Sequence, residues 1–580
     1  MSLDKSFNSP TGFIVKQFFS GNDSDGSSFA IDGNNRIVTV GTANDGTDDY
    51  LLLARYTQTG ILDSQFAGGV GYVTVKINGL DTRGISVALD QNNNILIAGN
   101  VLQIVNKVAT NYMFVTKYVE SGTPDGTFAL GTGYIIQKIF GDNNTYAKTI
   151  CIDNNNNILV LGRALNSFDE NMFIVRYTNI GVLDNNFASG VGYLTKRFNN
   201  SDTLANCMVV DTDDSIYITG YVNEITITDE KRSMLLAKFT DTGVIDINFG
   251  NGSGFITKQF VNGFNSDGNY LILDKDHSIY ITGQVLVGLN PSDTGIFNVY
   301  VAKYSNTGDL DTEFASGKGF VYTRIGIYNS IGNSLAFDKD NNILVTCQAV
   351  EGSANDFKNF IVKYTFVGAL DTNFGSGNGY IITEPTNYFL NAATQILIDN
   401  NDRILLIGNV YDDNISRYFL LERYLNIDIP PTTTMPPTTT HHEPICLPLG
   451  TPINTDQGLV AIEKLNTAVH TINRQRIVSI IRTITPEKEL VCFEKHSVAI
   501  NCPKERTLMT PGHCVLYKGQ LIQAKHFVGR IDGVHTVPYN GKDVLYNVLM
   551  DKHSVMAVNG MVLETLHPSN KVAKKILGDL

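Results

Sequence analysis

Short runs of alternating apolar and polar residues dominate residues 3–427, among them Gly71-Tyr72-Val73-Thr74 and Gly192-Tyr193-Leu194-Thr195. A period of two places successive side chains on opposite faces of a β-strand, and turn-forming residues bound each run. The runs belong to a larger repeat of about 60 residues. Each copy opens on Asp-x-x-Phe, with Asp at 4, 63, 125, 184, 246, 311 and 371 and Phe three positions later. A second strand ends in Asp-x-x-x-x-Ile, beginning at Asp32, Asp90, Asp153, Asp211, Asp274, Asp338 and Asp399. The intervening Asn and Asp predict a hairpin turn. The last strand of a copy ends in a basic residue followed by an aromatic one, as in Arg55-Tyr56, Arg176-Tyr177 and Arg423-Tyr424.

Four short strands cannot bury both faces of their sheet, but repeated units stacked radially can. Seven copies therefore predict an all-β fold, a seven-bladed β-propeller over residues 1–427. At this point the chain resembles the delta-60 repeat family over residues 3–427. That resemblance implies architecture more than activity, because propellers host both binding and enzymatic functions. The Asp of Asp-x-x-Phe is expected to cap or pair locally, and its Phe to lie in the core. His277, the one histidine before residue 440, is expected to be a solvated turn residue. No acid pair, Ser/His/Asp set or metal cluster stands out, so the propeller is read as a binding or structural module for a protein or glycan ligand. A propeller hydrolase or lyase is the lesser alternative.

Charge changes the picture by dividing the chain. Residues 1–445 hold 28 Lys/Arg against 46 Asp/Glu, whereas residues 446–580 hold 16 against 11. The acidic part disfavours nucleic acid and anionic membranes as partners. Seven cysteines, an odd and scattered number, argue against a disulfide framework. No signal peptide or membrane span is read in the sequence.

Residues 428–445 contain five prolines and six threonines, the composition of an extended polyproline-like linker. Its threonines are sites for O-glycans in a suitable compartment. His441-His442-Glu443 are contiguous on this segment, where ligands rarely converge. No metal and no cofactor are expected.

After the linker come Cys446-Leu447-Pro448-Leu449-Gly450-Thr451, then Thr510-Pro511-Gly512-His513, then Leu545-Tyr546-Asn547-Val548, His553 and Val558-Asn559-Gly560. In order and spacing these blocks resemble Hint (hedgehog/intein) domains, which implies a Hint autoprocessing domain with a short tail over residues 446–580. The resemblance implies that Cys446 is the nucleophile of an N–S acyl shift at the Ile445–Cys446 bond and that His513 is the acid for the departing nitrogen. Thr510 would hydrogen-bond and help distort the scissile amide, and His553 would assist. A thiol directly after a mobile, unstructured segment and an imidazole that titrates near neutrality are the groups such chemistry needs. Cys492, Cys502 and Cys514 read as core or spare thiols.

Two departures narrow the expected outcome. The terminal His-Asn of inteins is missing, so splicing is not expected, and about 15 residues after the last strand leave no basis for sterol attachment. Asn547 stands where many members have Asp. The expectation is a self-cleaving precursor whose thioester is resolved by water or another acyl acceptor. The alternative is a non-enzymatic surface or virion protein with an inactive Hint domain. The pairing of repeats and Hint domain resembles proteins encoded by large DNA viruses, which points to a virion or cell surface without fixing a location.

Overall fold

The structure is a computed structural model that describes residues 3–426 and 446–565, apart from 106, 226–229, 290–294, 327–328, 351–356, 376–377, 384–387, 414, 474, 485–487, 499–501, 518–519 and 551–554. The chain divides into two compact units, Met1–Ile429 and Pro430–Leu580. Among the described residues no helix is long and apolar enough to cross a membrane, and the seven cysteines are free thiols.

Among its described residues the first unit forms seven four-stranded antiparallel sheets. Six are built from consecutive strands, the first from Ser24–Ile31, Ile37–Asn44, Asp49–Tyr56 and Tyr72–Val75. The remaining sheet joins the two ends of the unit, since Phe13–Lys16 pairs with Arg417–Leu425, which continues to Arg403–Tyr411 and Phe389–Ile398. Ile407, Phe419 and Leu421 of that sheet share a core with Phe29, Leu52 and Ala54 of the first. The arrangement is propeller-like.

The repeated residues explain why the sheets stack. Arg55 Nε donates to Asp63 at 2.8 Å, Arg176 Nε to Asp184 at 2.7 Å and, across the joined ends, Arg423 Nε to Asp4 at 2.9 Å. Each of these guanidiniums also covers the Phe of Asp-x-x-Phe, about 4.6 Å from the ring centre for Phe7 and Phe66. The same Phe seats the following repeat: Gly60 has φ +81°, and a Cβ there would lie 2.7 Å from the Phe7 ring. Only glycine accepts both the conformation and the contact.

The Asp-x-x-x-x-Ile turns also touch one another. Asp32 Oδ1 accepts the N–H groups of Asn34 and Arg36, both at 2.9 Å, the local device by which Asp stabilises a turn. Asn154 N donates to Asp214 at 2.8 Å, Lys339 N to Asp402 at 3.1 Å, and Asn400 Nδ2 to Asn35 at 2.6 Å between the last and first repeats. His277 sits in such a turn with its side chain 43% exposed, and it gains a partner as well: its Nδ1 lies 2.8 Å from Asp211 in the neighbouring turn.

A β-bulge recurs in one edge strand of each sheet, for example between Gly268 and Tyr270. The extra residue turns toward the next sheet: Asn206, Asn269, Asn333 and Thr394 donate to the carbonyls of Gly268, Gly332, Ala393 and Gly26 at 2.9–3.3 Å.

The second unit is also all-β. Its four-stranded sheet runs Leu447–Pro448, Leu545–Met550, Gln475–Thr483, Thr471–Ile472. A six-stranded sheet contains Val555–Val558, Met561–Glu564 and Cys514–Tyr517, and a three-stranded sheet is ordered Thr507–Met509, Glu489–Phe493, Val534–Pro538. Side chains from all three, including Leu447, Val491, Met509, Val548 and Leu563, form one core. Leu545–Met550 is buried along its whole length, which matches a run with no polar alternation except Asn547.

Candidate functional site

Cys446 stands immediately before the strand Leu447–Pro448, whose pairing with Tyr546 and Leu545 fixes its position. Its side chain is buried among Leu490 and Leu545, with Leu508, Val537 and Tyr539 packed around them. This apolar setting disfavours the thiolate and pushes the thiol up to about 12.

Thr510 and His513 lie in the connection between the strands Thr507–Met509 and Cys514–Tyr517, one in the three-stranded sheet and one in the six-stranded sheet. The connection is a turn closed by His513 N donating to Thr510 O at 3.0 Å. It grips Cys446 on two atoms. Cys446 N donates to Thr510 Oγ1 at 2.8 Å, and Thr510 N donates to Cys446 O at 3.0 Å. Thr510 and His513 are both fully buried.

His513 is held from its far side by the end of the strand Met561–Glu564. Its Nε2 lies 3.1 Å from Glu564 O, and a carbonyl can only accept, so Nε2 carries the hydrogen. In the neutral ring Nδ1 then bears a lone pair, and it is buried without a hydrogen-bond partner. Burial holds the His513 pKa below the ordinary histidine value, opposed by the nearby Glu564 charge, the Glu564 carbonyl and the Cys446 backbone. Glu564 Oε1 in turn accepts Cys514 N at 3.0 Å.

Three of the residues anticipated from sequence, Cys446, Thr510 and His513, therefore meet in one buried site. Ile445, His553 and the linker with His441-His442-Glu443 lie outside the described residues. Asn547 is buried opposite Ile481, and its Oδ1 accepts Val548 N at 2.7 Å. Asn559 and Gly560, with φ of +50° and +85°, form the tight turn between Val555–Val558 and Met561–Glu564. Glu564 is a residue the sequence reading missed. Its relevant group toward His513 is a main-chain carbonyl, which no residue type announces.

Residues 445–570 match the family model of the Hint domain. A Hint domain is thus present in the second unit, and the site just described lies inside it. No curated protein matches the chain. Among solved structures, the chain is similar to the polysaccharide lyase Uly1 (10% identity, 73% of this chain and 95% of that chain, TM-score 0.38). It is also similar to a PL25 ulvan lyase (13%, 72% and 98%, TM-score 0.42) and to Chaetomium thermophilum Sqt1 (9%, 70% and 97%, TM-score 0.34). Likenesses this low carry no functional argument.

In the propeller-like unit, a cavity of about 260 Å³ is lined by Asp23, Asp25, Thr42, Asn44, Asp49, Arg83 and Arg417. Its charges are mutually engaged: Arg417 Nη1 donates to Asp25 at 2.9 Å and Arg83 Nε to Asp49 at 2.6 Å. Burial raises the Asp25 pKa above the usual carboxylate value.

Proposed function

We propose that the chain is a precursor whose Hint domain performs an N–S acyl shift at Cys446 and cleaves the Ile445–Cys446 bond once per molecule. The released N-terminal part, residues 1–427 with the linker 428–445, is then a closed seven-bladed propeller of delta-60-like repeats that serves as a binding or structural module. The observation that carries this reading is the double hold of Thr510 on Cys446 N and Cys446 O, with His513 directly behind it.

The chemistry follows from the charge states. Cys446 and His513 are both neutral at neutral pH, so the thiol proton passes first to the free Nδ1 of His513. Sulfur bonds to the Ile445 carbonyl carbon, the bond to Cys446 nitrogen breaks, and the same proton moves from Nδ1 to that nitrogen. His513 thereby acts as base before it acts as acid, which refines its expected role. Thr510 Oγ1 holds the departing N–H while the acyl side turns, weakening amide resonance. Water or an acyl acceptor then releases the propeller from the thioester. Without the terminal His-Asn, and with Asn559 committed to a hairpin turn, neither splicing nor sterol attachment is part of the scheme.

The second reading, an inactive Hint domain on a surface or virion protein, rests on the deep burial of the Cys446 thiol and on Asn547. Purified protein incubated with and without a small thiol separates the two. Autoprocessing gives two fragments, faster with thiol, and a single band for Cys446→Ala. Equal persistence of the full-length chain in both proteins would refute it.

A further inference from the structure

A second cluster in the Hint domain plays no part in this chemistry. Cys492 and His535 are register partners on the strands Glu489–Phe493 and Val534–Pro538, which places their side chains on one sheet face about 5 Å apart at Cβ. Glu494, two residues after Cys492, falls on the same face by alternation, and Glu494 N donating to Gly533 O at 2.9 Å keeps it in register. Cys492 Sγ lies 3.3 Å from Glu494 Oε1, which is 3.7 Å from His535 Nε2. All three donor atoms lie within 4.8 Å of one another.

We infer that Cys492, Glu494 and His535 form a binding site for a divalent, borderline-soft cation of the zinc class. Zinc with one sulfur, one nitrogen and one oxygen ligand in tetrahedral array spaces those donors roughly 3.3–3.6 Å apart, close to the 3.3 Å and 3.7 Å that separate Glu494 Oε1 from the other two donors. Thiolate, imidazole and carboxylate together select zinc over magnesium or calcium. The fourth position opens to solvent, because the side chains of Glu494 and His535 are about half exposed. A positive group already marks the spot. Arg506 Nε donates to Cys492 Sγ and to Glu494 Oε1, each at 3.2 Å, and this exposed guanidinium can swing away when a metal enters. Binding releases the thiol proton to solvent and forms a metal–sulfur bond without redox change.

Cobalt(II) titration of full-length Cys446→Ala protein tests the site, because that variant removes a competing thiol and stays intact. The expected result is one equivalent bound with a thiolate-to-cobalt charge-transfer band, displaced by zinc. Cys492→Ser removes the band, and His535→Ala, at a half-exposed position that does not hold the fold, weakens binding by at least about tenfold, the scale of altered metal coordination. Arg506→Ala tightens binding by removing the competing cation. Absence of the band, its survival in Cys492→Ser, or unchanged affinity in both His535→Ala and Arg506→Ala would overturn the assignment.

Discussion

Cys446 and His513 are each held in the neutral form, and burial is the common cause. With its thiol pushed up to about 12 from an ordinary value of 9.0, Cys446 presents very little thiolate at neutral pH, and thiolate is what alkylating reagents attack. Iodoacetamide is therefore expected to modify Cys446 in the folded protein roughly a thousandfold more slowly than in urea, read by peptide mass spectrometry. Equal rates would place the thiol in solvent. His513 gives a second test. Its native pKa lies below 6.5, so between those two values the unfolded chain binds a proton that the native chain does not. The associated stability is complete above about pH 6.5 and is lost as pH falls through the native value. The urea midpoint of the Hint domain should drop on acidification from about pH 7.5 to 5.5, with a smaller drop in His513→Gln. An identical drop in both would show that His513 is not the group responsible.

Individual elements make the repeat units interdependent. The clearest case is Gly60, whose missing side chain lets the turn of one repeat close on Phe7 of another. Gly60→Ala imposes a positive φ and a ring clash together, and should destabilise the N-terminal unit by about 1–3 kcal/mol in chemical unfolding. Phe7→Leu in the same background should recover part of that loss. No shift in midpoint would mean that the contact is slack. Such elements were the part most legible in sequence. Asp-x-x-Phe, the Asn-rich turns and the basic-aromatic strand ends repeat, and repetition exposes a physical rule that one copy would hide. The pairing of Arg55 with Asp63 was likewise readable as a local contact. What could not be read was register between distant segments, such as Cys492 opposite His535 or Glu564 O behind His513. His277 shows the same limit, since its partner Asp211 comes from another repeat.

At the scale of the molecule, the N-terminal unit is tied by its ends and the Hint domain by Cys446. Phe13–Lys16 completes a sheet made otherwise from residues 389–425, and Asp4 answers Arg423. Deleting residues 3–16 should leave an open sheet edge and unpaired Arg423, lowering the thermal midpoint of the unit and promoting aggregation. An unchanged midpoint would show that the ends are dispensable. The division between an acidic repeat region and a basic Hint domain was legible in sequence, because composition shifts sharply at the Thr/Pro-rich segment. Cys446, Thr510 and His513 were legible as motif residues, whereas their charge states required the burial seen in the fold.

The central claim, an acyl shift at one bond, is tested most directly by trapping with hydroxylamine followed by intact-mass measurement. The expected products are an N-terminal fragment ending at Ile445 as its hydroxamate and a C-terminal fragment beginning with free Cys446, both missing from Cys446→Ala. A full-length mass alone, a cut at another bond, or the same fragments from Cys446→Ala would contradict it.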